Sequence, residues 1–406
     1  MTNLAIATSI VSRLQQLGYT TYFAGGWVRD FLLNFPSDDI DIATQAPIEV
    51  IQAVFPKTLA VGISFGIIIV VEEGEQFEVA TFRKERDYVD GRRPSSVEPC
   101  PPEEDAKRRD FTINGLFYDP IKQQLHDFVH GEKDIKAGII RAIGNPIDRF
   151  QEDRLRMLRA IRYSTRFGFQ IDPNTQLGIV QLAHELLPAV SAERIYQEIQ
   201  KMDLFDTLAP SLRLLAQHHL LKVIFPELLH ENDESLFAAI GMIDHLPKQT
   251  PLVAKLSLLF SHMPLQEKLA SLNRLKLSRK ELSFISYLDQ LKQSFNSIAI
   301  DDYLLAHLYA DEFFPLAISF FKHLKGHQKE AIHAERHANY LAEHIKRIKE
   351  KRPLISSQIL AQENIPPGKL MGLLMKEGEK IAINEKLTDC ETVLKKLKSL
   401  DIWPLE

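Results

Sequence analysis

The pattern of apolar and polar positions changes once along the chain, near residue 130. Before that point, short apolar stretches alternate with turn residues, which is typical of strands mixed with helices. After it, apolar positions recur at helical spacing almost to the end, interrupted by proline and glycine. The sequence therefore predicts an α+β part followed by a long all-helical part.

Four segments of the first part predict strands, and the turn EEGEQ joins the last two as a hairpin. The segments read TTYFA, DDIDIAT, SFGIIIVV and QFEVATF. Because side chains alternate between the faces of a strand, Asp39 and Asp41 are expected on one face. By the same rule, Glu78 is expected to face away from Phe77 and Val79.

The second part contains several expected helices. They lie near 150–165, 190–204, 210–222, 233–245, 250–260 and 300–325. The charged stretch 327–353 predicts one further long helix that ends in a cluster of lysines and arginines. This cluster is either a solvated helix face or a surface for an RNA backbone. Residues 1–19 predict an amphipathic helix and lack the pattern of a signal peptide.

Composition narrows the class of protein. The chain has 406 residues, of which 45% are hydrophobic and 25% charged, as in ordinary soluble proteins of several domains. The formal net charge of −5 means that a nucleic acid would have to be held by a local basic surface. Two distant cysteines and the lack of a long apolar run favour a reducing, cytoplasmic location without a membrane partner.

The stretch GGWVRDFLLNFPSDDIDIAT carries the first candidate chemistry. Gly25 and Gly26 lack a Cβ, so their backbone can approach an anion closely, and Arg29 could clamp a phosphate. Asp39 and Asp41 would repel each other unless a hard divalent cation lay between them. The alternative interpretation is an ordinary strand edge with solvated acids.

Further candidates follow along the head. Glu78 is either a third carboxylate of the metal site or a solvated strand residue. The polar segment 87–107 predicts a loop over an active site. In RRDFTING, Arg109 is cationic and Asp110 and Asn114 could bind a ribose, or the segment is only a capped helix start.

The stretch EDRLRMLRAIR places polar side chains every three residues on one side of an expected helix. These are Asp153, Arg156, Arg159 and Arg162. Glu152 lies four residues before Arg156 and could hold its guanidinium in place. A carboxylate accepts hydrogen bonds and a guanidinium donates them, so together they could read the edge of a nucleobase. The alternative is a salt-bridge network within the helix.

In this order, these motifs resemble those of the class II tRNA nucleotidyltransferase and bacterial poly(A) polymerase family. The resemblance runs from about residue 20 to 170. It implies a polymerase-β-like nucleotidyltransferase head with a small mixed sheet, followed by an all-helical neck, body and tail. The expected boundaries are 1–135 for the catalytic head, 136–205 for the base-recognising neck, 206–330 for the body and 331–406 for an RNA-binding tail.

The resemblance also implies roles for the candidate residues. Asp39 and Asp41 would hold Mg²⁺, while Gly26 and Arg29, helped by Arg109, would hold the nucleotide triphosphate. Asp153 and Arg156 would pair with the incoming base. Arg159 and Arg162 would support the base and the phosphates. The implied reaction adds CCA to the 3′ end of tRNA from CTP and ATP and releases pyrophosphate.

Two departures from the family pattern leave the subtype open. The family often has His-Gly-Thr where this chain has SFG at 64–66, and Asn-Ala where it has Asn114-Gly115. An A-adding enzyme or a poly(A) polymerase is the alternative. The loop 87–107 is complete, which by the resemblance favours addition of the terminal A, and an enzyme that adds only this A stays open. A non-catalytic RNA-binding protein on the same fold is the alternative of another class. The sequence does not indicate the oligomeric state.

Overall fold

A computed structural model describes residues 2–61, 66–88, 94–295 and 300–404. The chain forms two compact units, Met1–Glu231 and Asn232–Glu406. The expected architecture, a mixed-sheet head followed by helices, is confirmed. The expected boundaries of head, neck, body and tail at 135, 205 and 330 stay predictions.

The head is built on a seven-stranded mixed sheet. Its strands are β1 (Thr21–Ala24), β2 (Asp41–Thr44), β3 (Thr58–Leu59), β4 (Ile67–Glu72), β5 (Glu75–Thr81), β8 (Leu116–Asp119) and β9 (Gln124–Asp127), in the spatial order β3-β4-β5-β2-β1-β8-β9. Strand β2 runs parallel to β5 and antiparallel to β1, and β4 and β5 form the expected hairpin. The alternation predicted for β5 holds, because Phe77 and Val79 are buried and Glu78 between them is exposed, whereas Ile42, Ala43 and Thr44 of β2 are all buried.

Helices pack against this sheet and around it. The first, Asn3–Gln16, begins at the N-cap Thr2 and buries Ile6, Ile10 and Leu14. The other head helices are Gly26–Leu32, Ile48–Val54, Pro102–Lys107 and Gly131–Ala137, with a 3₁₀ turn at Thr112–Asn114. The N-terminal amphipathic helix expected from the sequence is therefore confirmed.

The segment 87–107 differs from the expected loop. Strand β7 (Pro94–Pro99) pairs antiparallel with β6 (Arg83–Tyr88), and the helix Pro102–Lys107 follows. Ladder hydrogen bonds satisfy the backbone of β6 and β7, and Ala106 of the following helix is buried against the sheet, neither of which the polar composition indicated. Residues 89–93 of this segment, and Ser64 of the SFG stretch, lie outside the described residues.

The neck begins with two helices, Pro146–Glu152 and Leu155–Phe167. The prediction of one continuous helix at 150–165 is wrong, because Asp153 is extended (φ −151°, ψ 106°). Its carboxylate accepts a hydrogen bond from the backbone N–H of Leu155 at 3.0 Å and so takes part in starting the second helix. Unit 1 is completed by β10 (Ile139–Ile140), β11 (Gln170–Ile171), the helices Pro173–Leu182, Leu186–Ala189, Ala192–Leu204, Leu208–Gln217 and Leu220–Ile224, and 3₁₀ turns at Ala183–Glu185 and Pro226–His230.

Unit 2 is helical wherever it has regular structure among its described residues. Its helices are Asp233–Ile243, Leu252–Ser257, Leu265–Leu272, Arg279–Phe295, Asp302–Ala310, Phe314–His323, Gln328–Tyr340, Ala342–Glu350, Ser357–Gln362, Lys369–Asn384 and Cys390–Lys398, with 3₁₀ turns at Leu258–Phe260 and Asn273–Leu275. The long helix expected over 327–353 is two helices, which meet at the buried Leu341. Ile355, Leu374 and Val393 lie in the core of the last three helices.

One observation bears on membranes. Within the described part of the chain, no single helix is long and apolar enough to cross a bilayer. The bent pair Asp302–Ala310 and Phe314–His323, which turns by 98°, meets the criteria of length and composition only when its two helices are taken together.

Candidate active site

A cavity of about 730 Å³ lies within unit 1, between the head sheet and the neck helices. The predicted site residues that line it are Gly25, Gly26, Arg29, Asp39, Asp41, Arg109, Asp110, Asn114, Asp153, Arg156, Arg159 and Arg162. Glu78 and Glu152, the other two predicted residues, lie next to lining residues without lining the cavity themselves. Residues that are far apart in sequence thus meet at one site.

The turn after β1 depends on a glycine. Gly25 has φ 65°, and its N–H donates to the carbonyl oxygen of Leu116 at 3.1 Å. A Cβ on Gly25 would meet the Arg109 guanidinium at 2.7 Å. The turn therefore lets Arg109 lie directly against the backbone at the cavity wall.

Arg29 is buried and held from two sides. Its Nε and one terminal nitrogen donate to Oδ1 of Asp30 at 2.8 and 2.7 Å, and the other terminal nitrogen donates to Oδ1 of Asn114 at 2.5 Å. The rings of Tyr163 and Phe167 lie within 5.0 Å of the guanidinium carbon. These contacts fix the orientation of Arg29 before any ligand binds.

Asp110 and Asn114 bind each other and the arginines. The Asn114 amide donates to Oδ1 of Asp110 at 2.9 Å, and Arg159 donates to Oδ2 of Asp110 at 2.7 Å. Burial would raise the pKa of Asp110, but Arg159, Asn114 and Arg156 outweigh burial and hold this pKa well below its usual range. Both side chains are engaged by the protein, so the suggested contact with a ribose stays a prediction.

The acidic pair is arranged differently from the sequence expectation. Strand β2 begins at Asp41, so Asp39 precedes the strand and the prediction of two strand positions is wrong for Asp39. The pairing of Ile42 with Val79 places Asp41 beside Glu78. Burial and the nearby carboxylates of Glu78 and Asp39 raise the pKa of Asp41 to about 7, and Arg109 opposes this shift.

This donor set suits a hard divalent cation. The carboxylates of Glu78 and Asp39 both repel that of Asp41, and a cation would relieve this repulsion. In the parts of the chain that the structure describes, no group of three or more His, Cys, Asp or Glu side chains is arranged to hold a metal ion. Mg²⁺ is usually held by only one or two carboxylates together with substrate phosphates, so Asp39 and Asp41 are a fitting pair.

The predicted ladder joins different helices and is not confined to one, because the break at Asp153 separates Glu152 from the helix of Arg156. Glu152 accepts a hydrogen bond from Arg156 at 2.6 Å, as the sequence predicted. Asp153 instead accepts a hydrogen bond from Arg194 of the helix Ala192–Leu204 at 2.7 Å. Arg162 donates to Glu198 of that same helix at 2.6 Å. Most of the network therefore joins different elements.

Sequence reasoning missed several residues that line the cavity. Arg166 continues the arginine spacing four residues after Arg162, and this signal was available in the sequence. Asp30, Arg194 and Lys201 had no independent signal, because only the fold brings them to this wall. Among the described lining residues, nine side chains are cationic (Arg29, Arg108, Arg109, Arg156, Arg159, Arg162, Arg166, Arg194, Lys201) and five are acidic (Asp30, Asp39, Asp41, Asp110, Asp153).

The fold and the site have the arrangement that the sequence motifs led us to expect. A mixed sheet presents paired carboxylates beside a glycine turn, and arginines of a following helix line the same cavity. Residues 21–141 match the Poly A polymerase head domain, and residues 168–231 match the probable RNA and SrmB-binding site of polymerase A. The resemblance expected from the sequence motifs is thereby confirmed.

Two curated relatives share sequence with part of this chain. The chain is 44% identical over 212 residues to the CCA-adding enzyme of Geobacillus stearothermophilus, with 52% of each chain covered. It is 39% identical over 229 residues to the CCA-adding enzyme of Anoxybacillus flavithermus, covering 56% of this chain and 57% of the relative. The chain thus matches about half the length of these curated relatives.

A solved structure extends the likeness to nearly the whole chain. The crystal structure of the Bacillus stearothermophilus CCA-adding enzyme in complex with CTP superposes with a TM-score of 0.77 at 26% identity, covering 98% of both chains. The helical unit 2, which lies beyond the motifs that carry the sequence resemblance, therefore shares its fold with this neighbour.

Proposed function

We propose that this chain is a template-independent tRNA nucleotidyltransferase that adds CCA to the tRNA 3′ end from CTP and ATP and releases pyrophosphate. The observation that carries the proposal is the shared cavity, in which the head carboxylates face the Asp153 and Arg156 pair of the neck. The names of the curated relatives and the CTP in the structural neighbour support it.

The triphosphate is bound in this proposal by Gly26, Arg29 and Arg109. A guanidinium has five N–H donors, and three of those of Arg29 are used by Asp30 and Asn114. Two donors remain for phosphate oxygens. Because the side chain is already oriented, little conformational entropy is lost when the triphosphate binds.

The base is selected by Asp153 and Arg156. Cytosine and adenine each present an exocyclic amine next to a ring nitrogen that accepts hydrogen bonds. The carboxylate of Asp153 can accept from the amine, and Arg156 can donate to the ring nitrogen. Uracil and guanine have a carbonyl oxygen in place of the amine, which Asp153 would repel. Arg194 and Glu152 keep this pair in position.

Asp39 and Asp41 are the residues that we propose hold Mg²⁺, beside the third carboxylate of Glu78. When bound, this ion supplies charge neutralisation for the triphosphate and activation of the attacking hydroxyl. The terminal 3′-hydroxyl of the RNA gives up its proton to solvent, and its oxygen forms the new bond to the α-phosphorus of CTP or ATP. The bond from that phosphorus to the bridging oxygen breaks, and pyrophosphate leaves.

An extension assay on tRNA that ends before CCA tests this function. With Mg²⁺ and radiolabelled CTP and ATP, we expect two cytidines and then one adenosine to be added, with one pyrophosphate released per nucleotide. A product that contains no cytidine would overturn the CCA-adding assignment.

The same assay separates the second candidate, which the match to the Poly A polymerase head domain favours. An A-adding enzyme would extend only tRNA that already ends in CC, and a poly(A) polymerase would build long adenosine tails on other RNA. Binding of RNA without any release of pyrophosphate would indicate a non-catalytic RNA-binding protein. We also propose that the chain acts in the cytoplasm, where its tRNA substrate is found.

A further inference from the structure

Asp30 connects two arginines that face different parts of the cavity. Its Oδ1 accepts both hydrogen bonds from Arg29, and its Oδ2 accepts one from Arg166 at 3.2 Å. The Asp30 carboxylate is almost fully buried, with 6% of its side chain exposed. A single buried carboxylate therefore sets the positions of both guanidinium groups.

Arg166 lies far from the base-selecting pair. It follows Arg156 by ten residues on the helix Leu155–Phe167, which corresponds to about 15 Å along the helix axis. Its guanidinium carbon is 4.8 Å from the ring centre of Phe167 and 4.0 Å from that of Phe205. Arg166 thus belongs to a second part of the cavity, away from the base-selecting pair and separated from Arg29 by the Asp30 carboxylate.

The surroundings of Arg166 suit a nucleotide of single-stranded RNA. Leu204 and Phe205 line the cavity beside it, and Leu204 is 78% exposed. Lys201 lines the same wall with half of its side chain exposed. Aromatic and apolar surface next to cationic groups is the combination that stacks nucleobases and binds their phosphates. The excess of cationic side chains in the cavity adds attraction for a polyanion.

We propose that Arg166, Lys201 and Phe205 form the subsite for the 3′-terminal nucleotide of the RNA acceptor, and that Asp30 is a positioning residue that joins this subsite to Arg29. This inference rests on the proposed function. Lys201 binds the backbone phosphate, and Phe205, held by Arg166, presents a ring face to the terminal base. Asp30 keeps the nucleotide and the RNA end in fixed relative positions. One of its oxygens orients Arg29 toward the triphosphate, and the other orients Arg166 at the RNA subsite.

Two variants test the subsite without catalysis. The probe is a single-stranded oligoribonucleotide that carries 2-aminopurine as its 3′-terminal base, whose fluorescence is quenched by stacking. Without nucleotide or Mg²⁺, Arg166→Ala and Phe205→Leu are each expected to weaken binding at least tenfold and to reduce the quenching. The affinity for CTP, measured separately by calorimetry, is expected to stay within twofold of the wild type.

Asp30→Asn tests the positioning role, because it keeps the shape of the side chain and removes the charge that orients both arginines. We expect it to weaken the binding of CTP and of the oligoribonucleotide at least fivefold each. The matched control is Arg154→Ala. Arg154 lies just before the helix Leu155–Phe167, forms an ion pair with Glu185 and does not line the cavity. This control is expected to change neither affinity by more than twofold.

The outcomes separate this inference from the proposed function. If the wild-type chain extends tRNA but Arg166→Ala and Phe205→Leu bind and quench the probe like the wild type, the subsite is wrong and the function stands. If Asp30→Asn weakens only one ligand, the coupling is wrong. If Arg166→Ala does not fold, as judged by thermal melting, Phe205→Leu alone decides on the subsite. Failure of the wild type to extend any RNA would overturn the function itself.

Discussion

At the scale of single residues, the cavity is organised by ion pairs that already exist within the protein. Arg29 is paired with Asp30, Arg159 with Asp110, and Arg162 with Glu198, which lies on another helix. Burying such pairs adds little net stability, since desolvation offsets most of their attraction. Their effect is to hold guanidinium groups in fixed positions, which is what a site for phosphates and a base requires.

Replacing Asp41 by asparagine tests the metal site. Asp41→Asn is expected to abolish nucleotide transfer, because it removes a charged ligand while keeping the shape of the side chain. Its melting temperature at neutral pH should be no lower than that of the wild type, since burial already disfavours the ionised form. The exposed neighbour Asp38 provides the control, and Asp38→Asn should retain transfer. An Asp41→Asn variant that extends RNA at the wild-type rate would show that the metal assignment is wrong.

Arg156→Ala tests the base-selecting pair. Loss of the Arg156 guanidinium should weaken the discrimination between CTP and ATP. The ratio of their kcat/KM values is expected to change by roughly tenfold. The affinity for tRNA should change by less than about twofold, because Arg156 is not proposed to contact the acceptor. Arg154→Ala, from the same helix, is the matched control. An unchanged nucleotide preference would leave Arg156 as part of a structural salt-bridge network only.

Asp110→Asn tests the pH dependence of stability. Because the pKa of Asp110 is lowered in the folded state, its ionised form stabilises the fold above the ordinary carboxyl pKa of 3.8. At neutral pH the variant should lose roughly 2 kcal/mol in the free energy of unfolding, about the contribution of hydrogen bonds to a charged group. The difference should shrink as the pH falls below about 4, toward the lowered pKa, where Asp110 takes up a proton. Denaturant titrations at several pH values measure this, and a difference that does not depend on pH would contradict it.

At the scale of elements, the departure at Gly115 has a packing explanation. A Cβ at this position would meet Cγ2 of Val129 at 2.6 Å and Cδ1 of Ile143 at 3.2 Å. The backbone conformation of Gly115 (φ −89°, ψ 16°) is open to any residue, so space alone requires glycine here. This turn positions Asn114, which in turn accepts a hydrogen bond from Arg29. The departure from the family pattern at Gly115 therefore lies one residue from the site.

Gly115→Ala is therefore expected to destabilise unit 1 by about 1–3 kcal/mol through overpacking and to weaken CTP binding through Asn114. The control is Gly241→Ala in the helix Asp233–Ile243, where an added Cβ meets nothing within 4 Å. That change should stabilise its helix by up to about 1 kcal/mol. Thermal and denaturant unfolding measure both variants. If the two substitutions shift stability in the same direction, the packing explanation fails.

At the scale of the whole molecule, charge is distributed unevenly. The chain carries a formal net charge of −5, whereas the described lining of the cavity is cationic. An RNA substrate is therefore attracted to particular surfaces rather than to the protein as a whole. Its binding should weaken as the salt concentration rises, because contacts to phosphates release counterions.

The division into two units leads to a prediction for a shortened chain. Every described residue that lines the cavity lies within residues 1–231, which form a compact unit. Produced alone, they should fold and bind CTP within about threefold of the full chain. Their affinity for tRNA should fall by at least tenfold, because the predicted RNA-binding tail at 331–406 is absent. Filter binding measures this, and equal tRNA affinity of the two forms would show that the tail has no such role.

Local patterns were enough to predict many of the elements. The strands around Phe23, Ile42 and Val79 and the N-terminal helix follow from apolar periodicity, which acts over a few residues. The break at Asp153 and the ribbon at 94–99 were not predicted. In both cases the backbone hydrogen bonds are made in ways that composition does not reveal.

By itself, the sequence determined the residue types at the site, the order of the elements and the alternation that exposes Glu78 between the buried Phe77 and Val79. These follow from local sterics and from periodicity along the chain. Only the tertiary structure decided which charges meet: Asp30 with Arg166, Asp153 with Arg194, and Arg162 with Glu198. Such pairs depend on how distant segments pack. The attraction between their charges becomes strong only when the chain has folded and water has been displaced from around them.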